Sequence, residues 1–510
     1  MYNTTSPIKL CSTKQFEALD EELMSMRQKK SKKQQGLFLL MRILLYAFFY
    51  GSFFGMLGLN NLPLWVFSRT SGITLITFSV LLAGTISIYG GYDIGKRKSR
   101  PVISSLAMVA VITDLITYLQ LEIMNVNDAK YSSLQLFGLD FLLLIGTIVM
   151  QIVFIILMTR WGNALYFSVN PPERCCVVAS SQEAANHVMK KISRYRLQYD
   201  VRDVVDYRSA QVKKVILRND AVFFAQVPAT QRGLLLEFCY QNQKNAYPAA
   251  ELEDVMMVNG QQVILDDCAF VFMSRGELDL HIKVIKRTMD IVFAAVVLML
   301  TSPVMLTAAI AIHTEDGGPV FFRQKRMTIG GHIFEIFKFR TMTTDACMDS
   351  NQVSAQQNDQ RITRVGAILR KTRMDELPQL FNILKGDMSL VGPRPEMLEN
   401  VTQYIREFPA FAYRQKMKAG LTGYAQIEGK YNTSARDKLM MDLMYIENYS
   451  IWLDVKLLLR TFTVFFRMDS TEGFGGQSAE QKWPRIQTDA GTESIEQETI
   501  EKSEMGAVSF

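Results

Sequence analysis

The stretch Ile291–Ile312, IVFAAVVLMLTSPVMLTAAIAI, decides how the chain is arranged about a membrane. It is apolar over a length that matches the ~20 residues a bilayer span requires. Ser302-Pro303 interrupts it midway, where proline removes a backbone donor and its ring crowds the preceding turn. From Ile291 to Ser302 a helix would rise only ~18 Å at ~1.5 Å per residue, short of the ~30 Å hydrocarbon core. The residues alone allow two readings. One is a Pro-kinked span, after which the chain changes sides. The other is a bent helix that enters and leaves by the same face, with Lys286, Arg287 and Asp290 at headgroup level.

N-terminal to this stretch, apolar segments at about Gly36–Leu59, Ile73–Tyr89, Val102–Leu119 and Phe141–Met158 are each long enough to cross a bilayer, and four spans are expected. A basic run (Arg27, Lys29, Lys30, Lys32, Lys33) precedes the first, and Lys96, Arg97, Lys98 and Arg100 lie between the second and third. The other two loops carry little positive charge: Arg69 in one, Lys130 beside Glu122 and Asp128 in the other. The positive-inside rule then puts both termini in the cytoplasm of a cell whose inner membrane holds the protein. Arg42 is placed to snorkel to the cytoplasmic headgroups. Asp114, deep in the third span, is expected to make a structural hydrogen bond or to be protonated and neutral. The polar start is too long, and lacks the small-residue cleavage site, for a signal peptide.

At 510 residues the chain needs more than one domain. Its net charge of +6 is modest and its basic residues are clustered, which suits anionic lipid or phosphate and argues against a broad nucleic-acid face. Six cysteines without C-x-x-C spacing and four histidines give no pattern for structural zinc and fit a reducing compartment. Residues 171–278 alternate strand and helix patterns: CVVAS, SQEAANHVMKKI, YDVRDVVDY, a helix from about Ala229 to Gln243, and QVILDD. That is a βαβ-type layer, Rossmann-like, with Cys175 and Cys176 in a buried strand. The first strand-to-helix turn holds Ala179, Ser180 and Ser181 rather than the glycines a dinucleotide needs, so no nucleotide is assigned to it. Residues 468–510 are polar, weakly patterned and read as a mobile tail.

The chemistry-bearing residues follow the apolar stretch, in RKTRMDELPQLFNILKGDMSLVGPRPE, Arg370–Glu396. Leu377, Leu380, Phe381 and Leu384 have helical spacing and Pro378 suits a first turn, which places Asp375 and Glu376 at a helix N-terminus. Free N–H groups there, with Arg370, Lys371 and Arg373 upstream, would lower a carboxylate's pKa and keep it ionised, as a nucleophile or magnesium ligand must be. An acidic pair at a helix start is equally ordinary capping. FEIFKFRTM alternates as a strand does and carries Lys338 and Arg340 on one face, where two cations suit a diphosphate or simply a solvated edge. In VGPRPE, Pro393 and Pro395 stiffen the backbone about Arg394, as a guanidinium holder or a rigid turn. AGLTGYAQIEGKY reads as a glycine-punctuated loop near these residues.

Six motifs in order, KRTMD, the Ser302-Pro303 break, FKFRTM, Asp375-Glu376, LFNILKGDMSLVGPRPE and GLTGYAQ, resemble the bacterial sugar transferases, the monotopic polyprenyl-phosphate phosphoglycosyl transferases, over about Lys283–Arg467. The segments ahead of them resemble the large, multi-domain branch of that family. The resemblance implies a UDP-sugar donor, an undecaprenyl phosphate acceptor and Mg2+. Asp375 would attack the donor's β-phosphate, releasing UMP and leaving an aspartyl phosphosugar. Glu376 would be a metal or acid/base partner, and Lys338, Arg370 and Arg394 would hold phosphates or nucleotide. It also implies that residues 286–312 form a re-entrant anchor broken at Ser302-Pro303, which keeps the later residues on the cytoplasmic side with the nucleotide-sugar. The product would begin an O-antigen, capsule or exopolysaccharide unit. Ala419 and Tyr424 stand where the family often shows Pro and Trp, a departure that bears on contacts at the nucleotide's edge. The expected architecture is therefore a cytoplasmic segment (1–35), four transmembrane helices (36–160), the Rossmann-like α/β module (171–278), a mixed α/β catalytic domain with the re-entrant helix (281–467) and the tail (468–510). The extended surfaces allow a homodimer, and membrane lipids are expected partners.

Overall fold

The computed structural model describes residues 13–95, 99–127, 137–258, 260–273, 278–343, 359–429, 433–464 and 486. The expected basic residues Lys96, Arg97 and Lys98, with Asp128 and Lys130, lie outside the described residues, as do the side chains of the N-terminal basic run. The chain forms two compact units, Met1–Pro172 and Glu173–Phe510.

The first unit is helical: α1 (Thr13–Gly58), α2 (Arg69–Tyr89), α3 (Ser99–Asn127) and α4 (Leu139–Val169). Each contains a stretch long and apolar enough to cross a membrane, beginning at Gly36 in α1. The apolar stretch of α1 begins at Gly36, where the first span was expected, although the helix itself runs from Thr13. Aliphatic side chains such as Leu40, Ile43, Ile76, Val149 and Val153 point outward, while much of the polar chemistry is inside. Asp140 Oδ1 accepts from Asn60 and Asn61 at 2.9 and 3.0 Å, Asn125 donates to Asn61 at 3.0 Å, and Gln151 donates to Ser52 at 2.9 Å. Apolar outside and hydrogen-bonded polar inside is the arrangement that lipid as solvent selects. Asp114 is buried, with Gln151 as the polar side chain that acts on its carboxylate.

The second unit starts with a parallel sheet of β1 (Glu173–Ala179), β2 (Tyr199–Asp206), β3 (Ala221–Ala225) and β4 (Asn245–Pro248), in the order β2-β1-β3-β4. Helix α5 (Gln182–Ile192) covers one face through Ala184, Ala185 and Met189, against Val177 and Ala179. Helices α6 (Val212–Arg218) and α7 (Ala229–Gln241) cover the other through Val215, Ile216, Leu235 and Cys239, against Cys176 and Val178. Alternate residues of β1 thus serve opposite cores, which is why CCVVA is apolar without a break. Ser181 caps α5 by accepting from the Ala184 amide.

QVILDD does not join this layer. It forms β5 (Gln261–Leu265), paired antiparallel with β6 (Cys268–Phe272) as a separate hairpin. Helix α8 (Leu252–Met257), between sheet and hairpin, buries Val255 in the core of the C-terminal part, so the division expected near residue 278 is crossed by packing. Of the expected tail, Ile486 alone is described; it packs against the α5 side of the sheet and its amide donates to Gln182 at 2.9 Å.

The decisive apolar stretch lies within α9 (Leu280–Asp316), one helix with Pro303 inside it. Ser302-Pro303 therefore does not separate two helices. Lys286, Asp290, Ala294, Met305, Ala308 and Ile312 are buried along its length, while Val292, Phe293, Met299, Leu300, Leu306 and Ile310 stay exposed. Both ends are held by the same globular part. Lys286 donates to Asp454 at 2.6 Å near the start, and Asp316 at the end accepts from Arg340. A fully buried aliphatic side chain stabilises by roughly 1.5–3 kcal/mol, so this face alone seats the helix firmly.

The remaining elements are the hairpin β7 (Phe321–Met327) and β8 (Ile333–Phe339), then α10 (Arg364–Lys371), α11 (Gln379–Lys385), β9 (Ser389–Val391), α12 (Leu398–Glu407), β10 (Gly420–Thr422), α13 (Tyr424–Glu428), α14 (Ala435–Glu447) and α15 (Ile451–Val464). The stretch expected as a loop is instead β10, parallel to β9, followed by α13. Glycine is required here: a Cβ on Gly420 would come within 2.1 Å of the Gly392 nitrogen.

Candidate active site

Asp375 and Glu376 do not occupy the first turn of an α-helix. They form a one-turn 3-10 helix, Met374–Glu376, ahead of α11. The turn is set by Arg373, whose φ of 54° puts a non-glycine side chain in the left-handed region. Local backbone strain of this kind is held only where the surroundings over-determine it.

The two carboxylates are in different electrostatic states. Glu376 accepts from Lys338 Nζ at 3.0 Å, and Arg394 Nη2 lies 3.6 Å from the same oxygen. Burial raises its pKa, but Lys338, Arg394 and Arg373 outweigh burial and hold it at about 2. Asp375 forms no salt bridge among the described residues. Burial, then the charge of Glu376, push its pKa up, and Lys338 and Arg370 compensate only in part. The sequence expectation of a lowered pKa is therefore met by Glu376 and reversed at Asp375, where burial and the charge of Glu376 outweigh Lys338 and Arg370.

Each partner is aimed by buried polar contacts. Asn382, fully buried on α11, donates to the Glu335 carbonyl at 2.7 Å and accepts from the Phe337 amide at 2.9 Å. It thereby fixes β8, and hence Lys338, against the turn that carries the dyad. Asp290 accepts from Ser389 Oγ at 3.0 Å and the Leu390 amide at 2.9 Å, and Lys286 donates to the Val391 carbonyl at 3.1 Å. These bonds fasten β9, which leads directly into Pro393-Arg394-Pro395. Pro393 and Pro395 are buried, and Arg414 donates to the Arg394 carbonyl at 2.7 Å while pairing with Asp442 at 2.8 Å.

Not every expected residue joins this group. Arg340 is buried and its guanidinium fork grips Asp316 at the end of α9, away from the Lys338–Glu376 pair. Two cations two residues apart on a strand end thus take different partners. Arg370 acts on Asp375 through charge, while its Nε donates to Thr341 Oγ1 at 2.7 Å. Asn382, Arg414 and Asp442 carried no expected role; Arg373 was expected to add positive charge, as it does at Glu376, but its left-handed backbone was not. Asn382 lay in a quoted motif, and a lone Asn within LFNILK is a polar residue on an otherwise apolar helix; Arg414 and Asp442 carry no local signal.

A small, partly open pocket lies beside Glu376, walled by Lys338, Arg394, Arg326 and, from the β10–α13 segment, Leu421 and Gln426. Among the described residues no group of three His, Cys, Asp or Glu side chains converges to hold a metal. Magnesium needs no such cage: it takes one or two carboxylates and completes its shell with water and substrate phosphates. Adjacent Asp375 and Glu376 suit that chemistry, with Asp375 desolvated and free of a salt-bridge partner among the described residues.

Comparison with known proteins agrees with this geometry. A family model described as bacterial sugar transferase matches residues 281–468. A relative from Aeromonas hydrophila, UDP-N-acetylgalactosamine-undecaprenyl-phosphate N-acetylgalactosaminephosphotransferase, is 45% identical over 199 residues, 38% of this chain and 45% of the relative. A Caulobacter vibrioides protein, UDP-glucose:undecaprenyl-phosphate glucose-1-phosphate transferase, is 42% identical over 192 residues, 36% of this chain and 71% of that protein. The undecaprenyl-phosphate galactose phosphotransferase of Salmonella typhimurium is 36% identical over 199 residues, 36% of this chain and 41% of its own. The matched region thus spans less than half of the Aeromonas and Salmonella relatives, and it contains the dyad, its cations and α9. On these matches the chain belongs to the bacterial sugar transferase family.

Proposed function

We propose that the chain transfers a sugar 1-phosphate from a UDP-sugar to undecaprenyl phosphate and releases UMP. The observation that carries this reading is the asymmetry of the dyad: Glu376 is claimed by Lys338 and Arg394, while Asp375 is desolvated beside it without a salt bridge among the described residues. A carboxylate stripped of solvent and not neutralised by contact is a stronger nucleophile than a paired one. One Asp375 oxygen attacks the donor's β-phosphorus, and the bond from that phosphorus to the oxygen bridging the α-phosphate breaks. UMP departs with the electron pair, and the sugar phosphate remains on Asp375 as an acyl phosphate. The phosphate oxygen of undecaprenyl phosphate then attacks the same phosphorus and frees the Asp375 carboxylate. Magnesium, bound by Asp375 and Glu376 together with the diphosphate, would spread the charge of that diphosphate. Lys338 and Arg394 hold Glu376 ionised and turned toward the site, and Arg370 adds positive potential at Asp375.

The reading places α9 in the cytoplasmic leaflet of the inner membrane as an anchor, with the catalytic part beside the cytoplasmic nucleotide-sugar. Its support is that both ends of α9 are fastened to one globular part, by Lys286–Asp454 and Asp316–Arg340, while its outer face is apolar. The step would be the first membrane reaction in assembling a surface polysaccharide.

To test it, the purified full chain is incubated with magnesium, undecaprenyl phosphate and UDP-N-acetylgalactosamine, UDP-glucose or UDP-galactose, and the released nucleotide is identified. UMP from the wild type and none from Asp375→Asn is expected. Release of UDP, or undiminished UMP from the variant, overturns the reading.

A further inference from the structure

The cavity beside the dyad contains a cation that the mechanism above does not use. Arg326, near the end of β7, is fixed by the antiparallel register with Phe334 and by a bridge to Met397. Its Nη1 donates to the Pro395 carbonyl at 3.2 Å and its Nη2 to Gln324. Both partners are neutral. Its Nε is buried without a hydrogen-bond partner, and no carboxylate forms a salt bridge with it among the described residues. The other charged groups on the cavity wall are Lys338, Arg394 and Glu376, while Glu396, Glu399 and Glu376 act on Arg326 through charge without a salt bridge to it among the described residues. The Glu376 carboxylate is already held by Lys338 and Arg394. Burial, then the charge of Arg394, draw the Arg326 guanidinium down to about 10, which leaves it charged at neutral pH.

A desolvated cation beside a second cation is costly unless an anion joins them. We propose that Arg326 is a phosphate-binding residue: with Arg394 it forms an anion subsite next to the Asp375–Glu376 turn, filled by a phosphate of the donor diphosphate or by the phosphate of the lipid acceptor. This rests on the transferase reading for the identity of the anion. It extends that reading by adding a residue from the β7–β8 hairpin to the phosphate-holding set. The bonds to Pro395 and Gln324 orient the guanidinium, leaving its charge for the ligand.

The test uses the full chain as wild type, Arg326→Gln and Arg326→Lys. UDP binding is measured by calorimetry, and KM is determined separately for the UDP-sugar and for undecaprenyl phosphate. Loss of a charge-assisted hydrogen bond predicts weakening of about 10- to 100-fold in Arg326→Gln. A rise in UDP Kd and donor KM assigns the subsite to the donor; a rise in the undecaprenyl phosphate KM alone assigns it to the acceptor. Arg326→Lys keeps the charge but not the fork, and is expected to shift the same constant in the same direction by less. It carries the test if Arg326→Gln does not fold. Unchanged Kd and both KM values, whatever happens to kcat or thermal stability, overturn the proposal, because a purely structural arginine would give that pattern. A wild type that binds UDP through Arg326 yet releases no UMP would remove the transferase reading and leave the anion subsite standing.

Discussion

The parallel-sheet module and the transferase part place their charges in opposite ways. In the module the interior is apolar (Cys176, Val178, Val205, Val222, Phe224) and the ion pairs within the sheet lie on the surface, while Arg232 on α7, 11% exposed, pairs with Asp254 at 2.8 Å beyond it. Arg174–Asp220, at 2.9 Å, leaves its side chains 45% and 44% exposed. In the transferase part Lys286–Asp454, at 2.6 Å, leaves 10% and 6%, and Arg414–Asp442, at 2.8 Å, leaves 6% and 1%. Surface pairs contribute little, whereas burying a charge costs several kcal/mol per ion before pairing repays it. The transferase part accepts that cost where a pair aims something: Lys286 holds the Val391 carbonyl and Arg414 the Arg394 carbonyl. Among the described residues, the ion pairs in which both side chains are at most 10% exposed thus lie in the transferase part.

The comparison is broken most directly at Lys286. Lys286→Ala leaves Asp454 buried with its cation gone and the Val391 carbonyl without that donor, and a loss of about 3–5 kcal/mol is expected from urea unfolding in detergent. Asp290→Ala removes the acceptor of Ser389 Oγ and the Leu390 amide, and about 1–3 kcal/mol is expected. Asp290→Asn, which keeps an acceptor oxygen, should recover part of it. If either alanine variant unfolded where wild type does, the buried pairs would not be what secures β9.

Titration sharpens the same contrast. Burial, against the opposing charge of Arg414, leaves Asp442 with its pKa pushed up to about 6. A carboxyl raised in the folded state binds a proton on folding, so its ionised form costs stability. That cost is absent below the ordinary aspartate range, grows as pH rises through the window up to about 6, and is constant above it. Asp442→Asn does not titrate, so the stability gap between wild type and variant should narrow as pH rises across that window. A gap that widens instead would place the Arg414 pairing above desolvation.

How much of this was legible in the sequence depends on the range over which each feature is determined. The apolar spans, β1, β2, α5 and α7 follow from local periodicity, and their expected positions overlap the observed ones. The hairpin role of Gln261–Leu265 and the strand β3 depend on pairing with distant segments, which periodicity does not report. The dyad could be found because acidic residues, Pro378 and the upstream cations are contiguous. Their opposite pKa directions could not, since these depend on Lys338 and Arg394, brought in from β8 and the turn after β9. Arg340 shows the limit most plainly: two residues from Lys338 and expected on one face with it, it lies past the end of β8 and is claimed by Asp316 at the end of α9.

The smallest expected effect lies at the surface of the module. Arg174→Ala breaks both of its hydrogen bonds to Asp220, at 2.9 and 3.2 Å, a geometry that looks stronger on paper than the single Lys286–Asp454 contact. Yet both side chains remain nearly half exposed, so water replaces the lost partner and salt already screens the pair. Double-mutant coupling of Arg174 with Asp220 should be about 0–1 kcal/mol, falling further at high salt. UMP release should be unchanged, because none of the contacts that aim Lys338, Arg394 or Asp375 pass through this pair. A coupling comparable to that of Lys286 with Asp454 would mean that burial does not separate the two regions, and that hydrogen-bond geometry alone ranks their ion pairs.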